Sequence, residues 1–260
     1  MPKLPTHWIF AEEVYRRMPY HWEIRRAVDR YPYVYRYGAV APDTPFYLHW
    51  GPGSRILNRH GEEFHERGGG LERFLASALP GNGSGSVRQR LAFAAGVLTH
   101  AAADAVFHPM IYYFAGSGSA RAEWRHHRME GFIDLYFTRN FSQAVAVRLE
   151  QVLQGLEVDT GALLGWLADL FELDRRVYRP CLRTALWYNV LFLNLFIHRG
   201  ARLLADRFAP GAPEALRQYL AHFYPYRLPD PEGLFPNPIA YRNPATGRRY
   251  KMRIEEMKDA

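Results

Sequence analysis

Two short segments of the chain carry histidines and carboxylates at intervals of four residues. The segment LTHAAADAVFHPMIYY contains His100, Asp104 and His108, and the segment RHHRMEGFIDLYF contains His126, Glu130 and Asp134. Because four residues of an α-helix advance about 400°, each side chain lies only about 40° around the axis from the one before it. Each segment therefore predicts a helix with one stripe of metal-binding side chains, as in metal centres inside helical bundles.

The residue types in these stripes indicate which ion they would bind. Imidazole and carboxylate groups together suit Zn²⁺, and they suit Fe or Mn less exclusively. A lone histidine on an apolar stripe is usually a hydrogen-bonded core residue. Burying this many ionisable groups without a cation would be costly, however. The sequence therefore predicts a metal centre, with zinc as the first choice.

Further candidate ligands lie elsewhere in the chain, and spacing alone does not choose among them. They are His7 in THWIF, Asp43 in GAVAPDTPFY, His65 in GEEFHERGGG, and also His49, His60 and His127. Each is weak by itself, because Asp43 can equally cap a turn and His65 can equally be a surface residue.

Composition narrows the class of protein. The chain has 260 residues, of which 48% are hydrophobic, so it can form a hydrophobic core. Its net charge of +7 either favours anionic partners or simply reflects solvated arginine faces. With Cys181 as the single cysteine, an internal disulfide is excluded. No signal peptide is recognisable, and the apolar run Ala185 to Ile197 is too short to span a bilayer. We therefore expect a cytoplasmic protein without a transmembrane segment.

Helical periodicity dominates, so we predict an all-α fold in which a compact multi-helix bundle surrounds the metal cluster. The predicted helices are 7–18 (capped by Thr6), 23–30, 56–66, 71–78, 87–113, 121–140, 143–154, 160–171, 182–207 and 213–223. Pro109 should kink or end its helix, Pro213 should occupy a first helical position, and the alternating tyrosines of 31–41 predict an extended segment. We expect one helical domain over 1–223 and a Pro-rich tail over 224–260, with a β-hairpin around NPATG.

Taken together, the segments resemble the zinc-dependent phospholipase C family, whose all-helical fold is shared with zinc-dependent single-strand nucleases. THWIFAEEV resembles the family's early helix with a zinc-binding histidine, and GAVAPDTPFY resembles its Gly-x-x-x-Pro-Asp loop. GEEFHE resembles the segment with the next ligand and favours His65 over His60. HAAADAVFHP is the segment most specific to the family, and HHRME resembles the segment that pairs His126 with Glu130. The resemblance covers roughly 5–136 and continues more weakly to about 223.

The resemblance implies a cluster of two or three zinc ions. Asp43, His65, His100 and Asp104 would hold one ion, and His108, His126 and Glu130 another, with Asp104 bridging to a third at His7. Asp43 would also be the catalytic base, and Asp134 would either support the ligands from behind or face the substrate. The family's amino-terminal ligand has no counterpart in MPKLPTH, so the third site is not implied in full.

By the same resemblance, the reaction would be hydrolysis of a phosphodiester by metal-activated water, with phospholipid as a candidate substrate and an anionic membrane as a peripheral contact. Aromatic residues near Asp43, among them Phe46 and Tyr47, can receive a quaternary ammonium group, stack a nucleobase or simply pack the helices. Two alternatives stay open: a single-strand nuclease on this fold, and a non-catalytic metal-stabilised domain that binds lipid or protein. Nucleic acid is the less favoured partner. An HD-type phosphohydrolase is excluded, because the chain has no adjacent His-Asp pair.

Overall fold

The structure, a computed structural model, describes residues 4–47, 53–65, 71–72, 75–76, 86–140, 174–226, 238–253 and 256. Over these residues the helices are α1 (Leu4–Arg17), α2 (Glu23–Arg30), α3 (Pro32–Gly38), α4 (Ser54–His65), α5 (Val87–Ala115), α6 (Ala120–Asn140), α7 (Arg175–Ile197), α8 (Arg199–Phe208) and α9 (Glu214–Leu220). Short 3₁₀ turns lie at Thr44–Tyr47 and Ala209–Gly211, and β1 (Ile239–Arg242) pairs antiparallel with β2 (Arg249–Met252).

The predicted fold class is confirmed, since the described chain is helical apart from one hairpin. The helix predicted over 23–30 and the hairpin around NPATG are present. The helices predicted over 143–154 and 160–171, and half of the one over 71–78, lie outside the described residues.

The prediction of an extended segment over 31–41 is wrong. It contains α3, which begins with Pro32 at a position where a missing N–H costs nothing. The buried residues Val34, Tyr37 and Gly38 follow the spacing of a helix face, whereas Tyr33 is 39% exposed. The alternating tyrosines therefore do not share one face.

Four helix boundaries also differ from the predictions. α1 begins at Leu4, so Thr6 lies inside the helix and does not cap it. α5 does not end at Pro109 but continues to Ala115. The helix predicted over 182–207 is divided at His198, whose extended backbone (ψ 125°) begins α8 and whose ring accepts the Ala201 N–H. Pro213 precedes α9 as its N-cap and is not its first residue.

The chain divides into two compact units, whose boundaries fall within α1, α5 and α7. We call residues 11–101 and 143–192 the His65 unit, and residues 1–10, 102–142 and 193–260 the His126 unit.

In the His65 unit, two glycines allow α3 and α5 to approach each other closely. A Cβ on Gly38 would lie 2.3 Å from the carbonyl oxygen of Phe93, and a Cβ on Gly96 would lie 2.1 Å from that of Tyr35. Real Cβ atoms do not approach backbone this closely, so only glycine fits either position. The Tyr35 hydroxyl donates to the carbonyl of Ala11, 2.6 Å away, which ties α3 to α1.

α7 contributes the single cysteine to the same unit. Cys181 is only 8% exposed, and a Cβ on Gly53 would lie 2.8 Å from its sulfur. Gly53 itself has φ +82°, a conformation that favours glycine. Burial raises the pKa of the Cys181 thiol.

In the His126 unit, the buried carboxylate of Asp134 joins three parts of the chain. Its Oδ1 accepts from the Thr6 amide at 3.0 Å and from the Thr6 hydroxyl, and its Oδ2 accepts from the Tyr224 hydroxyl at 2.8 Å. Arg202 donates to the carbonyls of Tyr224 and Pro225. These bonds link α1, α6 and the segment that follows α9.

Length and composition alone would let two described helices cross a bilayer, namely residues 87–115 and 180–197. In the most apolar window of the first, 56% of residues are buried inside the protein, and in that of the second 39% are. Core helices of water-soluble proteins pass the same test, so this observation is weak evidence for a membrane span.

Candidate metal centre

In the His65 unit, one carboxylate and two imidazoles converge. The Oδ1 of Asp43 lies 3.3 Å from Nε2 of His65 and 3.6 Å from Nε2 of His100, and the two Nε2 atoms are 3.4 Å apart. These three atoms form a nearly equilateral triangle. His100 is fully buried and Asp43 almost so, while the His65 side chain is 20% exposed.

The size of this triangle matches the ligand shell of a zinc ion. Zinc binds histidine nitrogen and carboxylate oxygen at about 2.0–2.1 Å in tetrahedral geometry, which places neighbouring ligand atoms about 3.3–3.4 Å apart. The observed separations of 3.3, 3.4 and 3.6 Å correspond to one face of such a tetrahedron. The donor set therefore fits zinc without rearrangement.

Backbone carbonyls orient both imidazoles toward the centre of the triangle. Nδ1 of His65 lies 2.7 Å from the carbonyl oxygen of Gly61, and Nδ1 of His100 lies 3.0 Å from that of Ala39. A carbonyl can only accept, so each Nδ1 carries the proton and each Nε2 presents a lone pair. Two lone pairs and a carboxylate oxygen that face one another favour a cation between them. The same outer hydrogen bonds orient histidines at known metal sites.

Local structure explains how these side chains reach the centre. The close contact of α3 with α5 at Gly38 and Gly96 brings the Ala39 carbonyl to His100. A tight turn then follows α3, with the Asp43 amide donating to the Val40 carbonyl at 3.2 Å. This turn presents the Asp43 carboxylate to His100, and α4 supplies His65 from its last turn.

The His126 unit holds a second group, formed by His108 on α5 with His126 and Glu130 on α6. Each of the three offers a ligand atom within 4.8 Å of the others. Nε2 of His126 lies 2.7 Å from Oε1 of Glu130, and the His108 and His126 rings are 5.7 Å apart. Burial lowers the pKa of His126 to about 2, with a further contribution from His108, so His126 stays neutral and able to bind a metal.

Asp104 lies between two histidines of this unit. Its Oδ1 is 3.6 Å from Nε2 of the fully buried His7, and its Oδ2 is 3.9 Å from Nδ1 of His108. Its two oxygens therefore face in different directions, which is the arrangement that a bridging carboxylate requires. Asp134, by contrast, is fully buried, and its hydrogen bonds to Thr6 and Tyr224 anchor the turn of α1 that carries His7.

A cavity of about 560 Å³ opens beside His126. Tyr112, Glu123, His127 and the segment Gly116–Ala120 line it together with His126. Tyr112 is 45% exposed, and its ring centroid lies 5.0 Å from that of His126. The second group is therefore accessible to a small ligand from solvent.

Phe46, Tyr47 and His127 also belong to the predicted set, whereas His49 and the His60 side chain lie outside the described part of the chain. The Phe46 ring packs 5.5 Å from the His65 ring, and Tyr47 ends the adjacent 3₁₀ turn. His127, the neighbour of His126, also contacts Glu130, with 3.1 Å between Nδ1 and Oε2.

Sequence reasoning missed the residues that act through their backbone or from a distance. The residue types of Ala39 and Gly61 do not indicate that their carbonyls accept hydrogen bonds from histidines. The sequence likewise does not indicate that Tyr224 bonds to Asp134. For Gly61 there was an indirect signal, because a helical residue four positions before a histidine can receive its Nδ1–H.

A protein-family model described as zinc dependent phospholipase C matches residues 6–174 of the chain. The match covers more than half of the 260 residues and includes every proposed ligand from His7 to Glu130. No curated protein and no solved structure matches the chain.

Proposed function

Because the chain belongs to the zinc-dependent phospholipase C family, we propose that it is a zinc-dependent hydrolase of phosphodiesters, with phospholipids as the substrate class. The observation that carries this proposal is the triangle of Asp43, His65 and His100, whose separations of 3.3–3.6 Å suit one zinc ion.

Each residue has a distinct role in the proposed mechanism. Asp43, His65 and His100 would hold one zinc ion, and His108, His126 and Glu130 would hold another, with Asp104 bridging toward His7. When bound, zinc supplies a Lewis acid that favours ionisation of water and offsets charge on phosphoryl oxygens. The Ala39 and Gly61 carbonyls keep the imidazoles in the tautomer that leaves Nε2 for the metal.

Asp43 has a second role in this proposal. Its Oδ1 faces the two imidazoles, and a carboxylate has a second oxygen, so we assign Oδ2 to accept a proton from the attacking water. The side chain is nearly buried and its turn is anchored to Val40, so the carboxylate is held in one orientation. That fixed position is what general-base catalysis needs.

The cavity beside His126 supports a small polar group as part of the substrate. Its volume of about 560 Å³ is within the range of small-molecule sites, roughly 300–1,000 Å³. Tyr112 offers an aromatic face and Glu123 a carboxylate, both of which favour a cationic head group. Phospholipid head groups such as choline and ethanolamine have this chemistry.

The test combines metal content with activity in one set of variants. We would measure zinc bound to the purified protein and hydrolysis of a soluble nitrophenyl phosphodiester of choline. Changes to the hydrogen-bond partners of metal ligands already cost about 10–100-fold in metal affinity or activity. Loss of a ligand itself, in His100→Ala, should therefore lower kcat/KM by at least about 100-fold and reduce bound zinc. His21→Ala, which alters an exposed histidine of the same unit, is the matched control and should behave as wild type.

Specific outcomes would overturn the proposal. Undiminished zinc and activity in His100→Ala would mean that the triangle is not a metal site. Zinc binding without hydrolysis of any phosphodiester would favour the non-catalytic domain. Hydrolysis of single-stranded nucleic acid but not of the choline diester would favour the nuclease.

A further inference from the structure

The hairpin β1–β2 has an unusual pairing of like charges. Its register places Arg242 directly opposite Arg249 and Ala240 opposite Lys251. Residues directly opposite in an antiparallel pair lie only about 4.5–5.5 Å apart, and like charges there are destabilising. All three cationic residues are exposed. We call Arg242, Arg249 and Lys251 the cationic face of the hairpin.

No acidic side chain offsets this charge within the hairpin. The sequence from Ile239 to Arg253 contains no aspartate or glutamate, while Arg248 and Arg253 add two more cations at its edges. Among the described residues, no carboxylate forms an ion pair with the cationic face. The fold holds these like charges together although their repulsion is destabilising. This indicates that an anion from another molecule binds to the cationic face.

The opposite face of the hairpin is built to hold this arrangement in place. The Tyr241 and Tyr250 rings stack with centroids 5.1 Å apart, and Ile239 is fully buried. The Arg242 Nε also donates to the Gly247 carbonyl at 3.0 Å, across the turn. The strand pair therefore presents its cations on a preformed surface.

The hairpin contacts α5, the helix that contributes Tyr112 to the cavity of the His126 unit. The Tyr241 ring is 6.4 Å from that of Tyr113, and the preceding residue, Tyr112, lines the cavity beside His126. Tyr113 is itself 49% exposed. A binding surface here would hold its partner close to the proposed site of hydrolysis.

We propose that the cationic face of the hairpin docks the protein on anionic phospholipid bilayers. This inference rests on the proposed function, because it explains how an enzyme acting on lipid reaches a substrate held in a membrane. Lysine and arginine near an anionic membrane each contribute about 1 kcal/mol of attraction. Exposed tyrosines such as Tyr113 suit the interface between water and lipid.

The observations favour a bilayer over nucleic acid. The cations form a patch of three residues on a four-residue strand pair, whereas a nucleic-acid groove tracks its ligand with a longer stripe of charge and stacking aromatic faces. The Tyr241 and Tyr250 rings stack on each other on the face opposite the cations, so they are not available to stack with nucleobases.

The test is binding of the full chain to vesicles by co-sedimentation. Vesicles of phosphatidylcholine mixed with phosphatidylglycerol should bind the wild-type protein, and vesicles of phosphatidylcholine alone should bind it much less. The double variant Arg249→Gln with Lys251→Gln should bind the anionic vesicles about 30-fold more weakly, which is about 1 kcal/mol for each charge removed. Hydrolysis of the soluble choline diester should be unchanged.

The matched control removes the same charge elsewhere. Arg16→Gln with Arg26→Gln alters two exposed arginines on α1 and α2 and should bind vesicles within about twofold of wild type. An equal loss in both double variants would overturn the proposal, because the effect would then reflect net charge alone. Unchanged vesicle binding by the hairpin variant would also overturn it. The same holds if the hairpin variant loses binding to a single-stranded oligonucleotide but not to vesicles. If wild type binds vesicles but hydrolyses no phosphodiester, the proposed function fails while the docking surface stands.

Discussion

At the scale of single residues, backbone carbonyls accept the Nδ1 hydrogens of His65 and His100. Gly61 and Ala39 supply those carbonyls, so these two hydrogen bonds do not depend on the type of an outer side chain. The orientation of both ligands therefore depends on where the helices place their backbone, which makes the centre sensitive to packing.

Asp134 shows the same dependence through a side chain. A hydrogen bond to a charged group contributes about 1.5–3 kcal/mol, and the bond from Tyr224 to Asp134 is fully buried. We therefore expect Tyr224→Phe to lower the free energy of unfolding by about 1.5–3 kcal/mol, measured by urea denaturation. Tyr219→Phe, which alters a tyrosine that is 44% exposed, is the control and should change it by less than about 0.5 kcal/mol. Equal effects in the two variants would contradict the structural role of Asp134.

The sequence indicates candidate ligands by residue type and spacing, but it does not indicate how the fold holds them. The four-residue spacing of His100, Asp104 and His108 requires only that the segment be helical, and it is. The approach of Asp43 and His65 to His100 depends on contacts between distant segments, which periodicity does not encode. Their grouping came from the resemblance to a family.

At the scale of elements, the crossing of α3 and α5 sets the position of the first metal group. Gly96 lies in the buried stretch of α5, one turn before His100, where a side chain would meet the Tyr35 carbonyl. The sequence suggests no such crossing, because an isolated glycine inside a helical pattern reads only as a weak helix former. The prediction for α3 was wrong for a similar reason. The alternating tyrosines indicated an extended segment, but the chain forms a helix that begins at Pro32.

Gly96→Ala tests the importance of this crossing. The added methyl group would lie 2.1 Å from a backbone oxygen, so α3 and α5 must separate. Overpacking of this kind costs about 1–3 kcal/mol, and we expect the melting temperature to fall by roughly 2–10 °C with a loss of bound zinc. Gly211→Ala is the control, since a Cβ there meets nothing within 4 Å. A Gly96→Ala protein with wild-type stability and zinc content would show that the helices separate freely.

At the scale of the whole molecule, the two units each carry a group of candidate ligands. The His65 unit holds Asp43, His65 and His100, and the His126 unit holds His108, His126 and Glu130. Each group buries imidazoles and a carboxylate at a cost that a bound cation would offset. Metal should therefore stabilise the folded protein as well as supply chemistry.

Removal of metal checks this expectation. A ligand that binds only the folded state stabilises it by RT ln(1 + [L]/Kd), about 4 kcal/mol at a thousandfold excess over Kd. We expect EDTA to lower the melting temperature of the zinc-loaded protein by roughly 8–16 °C in scanning calorimetry, and added zinc to restore it. EDTA already saturated with zinc is the control for effects of the chelator itself. A melting temperature that EDTA leaves unchanged would contradict a stabilising metal.

Cys181 gives the molecule a built-in reporter. It is the only thiol in the chain, and it lies on α7, buried against Gly53. Because burial raises the pKa of the thiol, little reactive thiolate is exposed in the folded state. A thiol-specific dye can therefore label the wild-type protein at one position, and only when this part of the His65 unit opens. The labelling rate, followed with and without zinc, would measure how far the metal suppresses local opening without any introduced probe.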